Sequence, residues 1–243
     1  MEAISRSATL TVEPLTPFMP WSVEERAPLP EPGAVGETEK QLLVELLREP
    51  SSIVERLLDP SRLQGLVLGS VGVITVGTSV FAATASAARG GGEGWALPAA
   101  LASMNVLLGL AASLGPIYAA SILVAARVPL ARLVAALLAS AATGSLLLAG
   151  LAPPLYLLWK LDAEWAGPLL LTAAFLLSGA AAGARIHGLL SLMAESVTRA
   201  ALGNPTARLS DEDDYRVGIL ARVSWMMVAF TSGLGFWAFN ALG

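Results

Sequence analysis

A few polar residues inside otherwise apolar runs are the side chains of this sequence most able to do chemistry. Asn105 offers an amide within one run, Gly115 and Pro116 interrupt the same run before Tyr118, and Arg222 lies inside the last run. Polar groups are costly in lipid and commonly mark a functional site. We therefore treat these five residues as a candidate polar intramembrane site. Helix–helix hydrogen bonding by Asn105 and snorkelling of Arg222 to the membrane surface are the competing interpretations.

Residue types that support catalysis or metal binding are scarce or unsuitably spaced. Cysteine is absent, and His187 is the single histidine. Residues 211–214 are four consecutive carboxylates, but consecutive side chains cannot all face one ion, and negative charge is favourable at the start of a helix. No carboxylate lies within an apolar run, which disfavours a proton- or cation-coupled transporter. The sequence thus predicts no catalytic, cofactor or metal site and a protein that is not an enzyme.

The overall composition is typical of a membrane protein. Of the 243 residues, 55% are hydrophobic and only 14% are charged, and the mean hydropathy is +0.66. Soluble domains carry about 25% charged residues, and a soluble fold of this size could not keep so much apolar surface out of water. These values exclude a soluble enzyme, a disordered chain and a nucleic-acid-binding domain. We expect membrane lipid to surround the protein.

Five apolar runs are long enough to cross a bilayer as helices, which takes roughly 20 residues each. The predicted fold class is therefore all-α, a polytopic bundle of five transmembrane helices. Within the second run we expect one kinked span through Gly115-Pro116, and we expect Pro153-Pro154 to end the third. The predicted spans are 63–88, 97–126, 129–152, 167–184 and 217–242.

Basic residues around these runs favour one orientation. Alternate flanks carry three, two and four basic residues on one side, against one, one and none on the other. Because basic flanks stay in the cytoplasm, we predict a cytoplasmic N-terminus and an external C-terminus. Residues 186–216 then form a cytoplasmic loop, in which 188–202 extends the fourth helix. The Ala-, Leu- and Gly-rich composition suggests a bacterial inner membrane.

The segment before the first run is polar and acidic. Residues 1–63 hold half of all charged groups in about a quarter of the chain. We predict a flexible, Pro-rich tail over 1–37, because prolines prevent a continuous helix there. Over 38–62, leucines and other apolar residues at helical spacing predict two short amphipathic helices. Such helices need burial at the bilayer interface or against the bundle to be stable.

Glycines at a spacing of four predict close contacts between helices. Gly65 and Gly69 form one such pair, and Gly179 and Gly183 form another. Small residues let helices approach closely in lipid, where association depends on van der Waals contact. Packing within the chain and packing in a dimer both remain open.

The layout resembles that of Yip1-domain proteins. A polar lead-in ending in Leu57-Leu58-Asp59-Pro60 runs directly into closely spaced Ala/Leu/Gly-rich helices, and the resemblance covers about residues 42–242. It implies a five-span, non-enzymatic protein that acts in membrane organisation or as a helper subunit.

Two functions are compatible with these features. The first is a non-catalytic integral membrane subunit or scaffold, which anchors or organises a membrane complex through its cytoplasmic N-terminal segment and its helical bundle. Its expected partner is another protein or a second copy of the chain. The alternative is a permease or channel subunit for a small neutral solute. That alternative requires a wet cavity at mid-membrane, lined by Asn105, Ser113 and Tyr118. Neither function involves nucleic acid.

Overall fold

The computed structural model of the protein describes residues 50–88, 96–123, 129–161, 166–202 and 211–241 together with Val44 and Leu46. Within these residues every regular element is an α-helix, which confirms the all-α class. The predicted tail over 1–37 lies outside the described part of the chain. The six helices are α1 (Pro50–Leu58), α2 (Pro60–Ala88), α3 (Ala96–Leu123), α4 (Leu130–Lys160), α5 (Ala166–Leu202) and α6 (Asp211–Ala241).

Four helical segments of the described residues are long and apolar enough to cross a membrane, as expected of an integral membrane protein. They have 28 to 31 residues and are therefore about 42 to 46 Å long, more than the ~30 Å of hydrocarbon requires. Four of the five predicted runs are thus confirmed as candidate spans. Helix α6 covers the fifth run, and its crossing of the membrane stays a prediction. The candidate spans are Pro60–Ala88, Ala96–Leu123, Leu130–Lys160 and Leu169–Ser196.

Proline does not end α4, contrary to the sequence prediction. The helix continues through Pro153 and Pro154 to Lys160. Both prolines are exposed, so their rings lie away from the packed face, and proline costs less in apolar helices whose surroundings compensate the lost backbone bonds. The last turn closes with a hydrogen bond from the Leu161 amide to the Leu157 carbonyl at 3.2 Å. Helix α3 likewise passes through Pro116 without interruption, as the single-span interpretation requires.

The segment predicted as a cytoplasmic loop over 186–216 is mostly helical. Helix α5 extends to Leu202 and α6 begins at Asp211, which leaves only residues 203–210 between them. The predicted extension over 188–202 is therefore present, but it continues α5 without a break. No proline lies between Pro168 and Pro205 in the sequence, so nothing in the chain stops the helix earlier.

The five long helices pack as a closed ring. In the described part of the chain, each packs chiefly against two others, in the order α2, α4, α5, α6, α3 and back to α2. Helices α3 and α4 follow each other in the sequence but make only slight contact. The ring order therefore differs from the chain order.

Helix α1 packs against the bundle. Its residues Ile53, Val54 and Leu57 are buried, and the helix contacts α5, α2 and α4. Leu46 is fully buried in the same apolar core, and its carbonyl oxygen lies 3.5 Å from the Thr143 hydroxyl of α4. Leu46 and α1 are thus buried against the bundle, whereas the rest of the first predicted amphipathic helix lies outside the described residues.

The junction between α1 and α2 is a helix cap. The Asp59 carboxylate accepts hydrogen bonds from the Ser61 amide at 2.9 Å and from the Ser61 hydroxyl at 2.6 Å. Pro60 follows at the first helical position, where its missing N–H is not needed. The bonds from Ser61, aided by the guanidinium of Arg62, hold the pKa of Asp59 below its ordinary value of 3.8. The Leu57-Leu58-Asp59-Pro60 segment is thus the start signal of the first long helix.

Candidate functional site

Hydroxyl groups are the polar side chains of the bundle interior. Every buried polar residue in the described part of the chain is a serine or a threonine. Several donate to the carbonyl of the residue four positions earlier, as hydroxyls do in apolar helices, and others reach a neighbouring helix. The buried hydroxyl residues are Ser70, Thr78, Ser103, Ser113, Ser121, Ser140, Ser145, Ser178 and Ser224.

One group of hydroxyls joins α2 to α3. The Ser103 hydroxyl oxygen lies 2.9 Å from that of Thr78 and 2.8 Å from that of Ser79. It also lies 3.1 Å from the Thr75 carbonyl oxygen of α2 and 3.2 Å from the Ala99 carbonyl oxygen of α3. Because Ser103 has one proton and two lone pairs to share among these neighbours, its own hydrogen-bonding capacity is filled from within the protein.

Glycines bring α4 into close contact with both of its neighbours. The Ser178 hydroxyl of α5 donates to the Gly144 carbonyl of α4 at 2.9 Å, and a Cβ at Gly144 would lie only 2.9 Å from that hydroxyl oxygen. On the other side, a Cβ at Gly77 of α2 would lie 2.7 Å from the Ser145 carbonyl oxygen. Only glycine fits at either position without displacing the neighbouring helix.

A partly open cavity of about 40 Å³ lies where these contacts meet. All five long helices contribute to its wall. Three hydroxyl residues from three different helices face it, namely Thr78 of α2, Ser145 of α4 and Ser178 of α5, and the rest of the wall is apolar. The apolar part consists of Val106, Leu110, Ala141, Gly144, Leu148, Phe175, Ala182 and Val228.

The residues proposed as a polar intramembrane site do not line this cavity. Asn105 is half-buried, whereas Gly115, Pro116, Tyr118 and Arg222 are exposed on the surface of their helices. The Ser113 hydroxyl, which the permease alternative placed in a wet cavity with Asn105 and Tyr118, donates to the Gly109 carbonyl of its own helix at 2.8 Å. The exposure of Arg222 agrees with snorkelling to the surface.

The two glycine pairs behave differently. Gly179 and Gly183 are buried, and the indole ring of Trp225 on α6 occupies the space that a side chain at Gly183 would need. Gly65 is exposed and has open space where its Cβ would be, and Gly69 is half-buried. The pair Gly179 and Gly183 therefore packs within the chain, at the contact between α5 and α6.

Charged side chains gather where α5 ends and α6 begins. Asp211, Glu212, Asp213 and Asp214 occupy the first turn of α6 and are exposed, as expected for negative charge at a helix start. Glu212 pairs with Arg216 one turn later. No group of three or more potential metal ligands occurs among the described residues, and His187 is exposed.

The geometry defines a helical bundle in which four of the described helices are long and apolar enough to cross a membrane, with a small cavity at the convergence of its five long helices. Comparison of the chain with protein-family models, with curated proteins and with solved structures finds no match. The cavity residues were not singled out from the sequence. The signal available was the small-xxx-small spacing of Ser140 with Gly144 and of Ser178 with Ala182, a pattern that marks helix contacts in membranes.

Proposed function

We propose that this protein is a non-catalytic integral membrane subunit or scaffold, and that its α5–α6 hairpin presents a docking surface in the cytoplasm. In this proposal five helices cross the bacterial inner membrane, α6 being the fifth. The N-terminus is cytoplasmic and the C-terminus external. The resemblance in layout to Yip1-domain proteins points to the same kind of role.

The length and charge of the α5–α6 hairpin carry the proposal. Helix α5 has 37 residues and is about 55 Å long, so roughly 25 Å of it is not needed to cross the hydrocarbon core. Its last turns hold an exposed ion pair of Glu195 and Arg199 at 2.7 Å. The first turn of α6 holds four exposed carboxylates. Such charges are stable in water rather than in lipid, so this end of the hairpin belongs outside the bilayer.

The sign of the charge favours a protein partner over the lipid surface. In the described ends of α5 and α6, five carboxylates (Glu195 and residues 211–214) stand against the two arginines Arg199 and Arg216. The cytoplasmic leaflet is anionic and attracts basic segments; it repels an acidic hairpin. The hairpin is therefore available to a partner with a basic surface.

Helix α1 packs against the base of the hairpin. The buried face of α1 shares one apolar core with Ile186, Leu189 and Met193 of α5, and α1 contacts α5 and α2 to a similar extent and α4 less. The N-terminal lead-in therefore supports the proposed docking surface as part of the bundle. A preorganised surface loses less conformational entropy on binding.

The permease alternative has less support. Its required cavity lining of Asn105, Ser113 and Tyr118 is not the lining found. The observed cavity of about 40 Å³ holds a few water-sized groups, which is too little for a solute of many atoms.

Gentle extraction from the native membrane followed by native mass measurement tests the scaffold proposal. We expect a stoichiometric complex whose mass is not a whole multiple of the 25.0 kDa chain mass, because it contains a second protein. Replacing Asp211 and Asp214 by asparagine should weaken it, whereas the control Glu55→Gln, an exposed carboxylate on α1, should not. A chain that is monomeric in every gentle detergent, or a complex insensitive to the α6 carboxylates, contradicts the proposal.

Cysteine labelling tests the orientation separately, because the chain has no native cysteine. Exposed Leu161, after α4, is expected outside the cell, and exposed Tyr215, near the start of α6, is expected inside. An impermeant maleimide added to intact cells should label Leu161→Cys and not Tyr215→Cys. The reverse pattern would refute the proposed topology.

A further inference from the structure

We propose that the central cavity is a hydration site, in which two or three water molecules bridge α2, α4 and α5 through Thr78, Ser145 and Ser178. The three residues belong to three different helices and line one space. All three residues are buried, and each has only 3 to 6% of its surface exposed. The site is thus built by the tertiary structure, and it is independent of the proposed docking function.

The hydroxyl protons are already committed to backbone carbonyls. Thr78 donates to Ile74 at 2.6 Å, Ser145 to Ala141 at 2.9 Å and Ser178 to Gly144 at 2.9 Å. A hydroxyl has one proton to donate but two lone pairs to accept with. The polar capacity that remains toward the cavity is therefore that of an acceptor. A small neutral hydrogen-bond donor matches it, whereas an anion or a carbonyl compound does not.

Volume and polarity both select water. Each buried water molecule needs about 10–15 Å³ of cavity volume, so the cavity of about 40 Å³ accommodates about three water molecules. Cavities that stay dry are lined by apolar groups alone, and a stable buried water needs two to four polar partners. Three acceptors together with the neighbouring waters provide that number.

The apolar wall supplies reporters for the test. Leu110 and Leu148 line the cavity and are 4 and 5% exposed, whereas Leu133 and Leu137 are 0 and 1% exposed and do not line it. Hydroxyl radicals generated by X-ray radiolysis form from water where it is bound and oxidise the nearest side chains. With the full chain in lipid nanodiscs and H₂¹⁸O as solvent, we expect ¹⁸O incorporation at the first two leucines and none at the other two.

A cavity-filling variant sharpens the result. Ala141→Val places two additional methyl groups on the wall and should reduce labelling of Leu110 and Leu148 to the level of the dry leucines. The matched control is Ala173→Val, at an exposed position of α5, which should leave labelling unchanged. If Ala141→Val does not fold, the labelling of the four leucines in the unaltered protein still decides whether the cavity holds water. Absence of label at Leu110 and Leu148, or equal label at all four, overturns the hydration site.

Discussion

The close contact between α2 and α4 gives the sharpest test of the packing, through the substitution Gly77→Ala. A Cβ at this position would meet the Ser145 carbonyl oxygen at 2.7 Å, its carbon at 2.9 Å and the Ser145 Cβ at 3.1 Å. Two of these atoms belong to the backbone, so relief requires a shift of one helix against the other. Gly72 lies on the same helix with open space around its Cβ position, and Gly72→Ala is therefore the matched control.

The expected magnitude follows from two opposing effects. In aqueous hosts, alanine favours a helix over glycine by about 1 kcal/mol, and this gain applies to both variants. Overpacking a well-packed interior costs typically 1–3 kcal/mol, and it applies only to Gly77→Ala. Because the propensity gain cancels in the comparison, Gly77→Ala should be less stable than Gly72→Ala by about 1–3 kcal/mol.

Reversible unfolding in mixed micelles measures this difference. The helical signal in circular dichroism is followed as the mole fraction of sodium dodecyl sulfate increases, and the free energies of unfolding of the two variants are compared. Gly72→Ala should be no less stable than the unaltered protein. If Gly77→Ala is as stable as Gly72→Ala, then α2 and α4 do not approach as closely as described, and the account of the cavity between them is wrong.

Three further substitutions test separate contacts. Ser178→Ala removes the hydrogen bond to the Gly144 carbonyl and should lower the free energy of unfolding by about 0.6 kcal/mol, the average for such bonds between membrane helices, and by no more than ~1.7. Gly183→Ala should displace the Trp225 ring, which shifts the tryptophan fluorescence spectrum. The pKa of Asp59 is held below 3.8, so the ionised cap stabilises the fold above that pH and its contribution is lost as the pH falls below it. Asp59→Asn should remove this acid-dependent loss from unfolding measured across that range.

Two of these substitutions have a matched control in the chain. Ser196 donates to the Leu192 carbonyl of its own helix at 2.8 Å, so Ser196→Ala should cost less than Ser178→Ala. Gly188 has open space at its Cβ position, and Gly188→Ala should leave the fluorescence spectrum unchanged. An unchanged spectrum for Gly183→Ala, or an acid profile unaffected by Asp59→Asn, would contradict the corresponding contact.

Helix content and most spans could be predicted because lipid constrains the backbone strongly. No water is available in the bilayer core, so an apolar run of sufficient length must satisfy its N–H and C=O groups as a helix. Two boundaries differ from the sequence prediction. The rule that proline ends a helix predicts that α4 stops at Pro153-Pro154, and the charges of 186–216 predict a loop beyond the helical extension over 188–202. Helix α4 is longer than predicted because Pro153 and Pro154 are exposed, and α5 is longer because no proline interrupts it before Pro205.

The candidate site could not be predicted in the same way. Asn105 and Arg222 were chosen for their polarity alone, and the structure gives them no place in the cavity wall. Serine and threonine are common throughout the chain, and many of their hydroxyls donate to backbone carbonyls of their own helix. Their residue type therefore does not show which of them face one another. The four-residue spacing of small residues did indicate where helices approach, since Gly183 receives Trp225, but it did not indicate which helix approaches.

The amino-acid sequence by itself determined that this chain is a bundle of long apolar helices and that charge collects between the last two. Only the tertiary structure decided the ring order of the helices, the docking of α1 and the meeting of Thr78, Ser145 and Ser178 around one cavity. The physical reason is that these helices carry mostly apolar residues on every face. Lipid accepts each face equally, so the hydrophobic pattern does not specify which faces meet, and fine contacts between small residues make that choice.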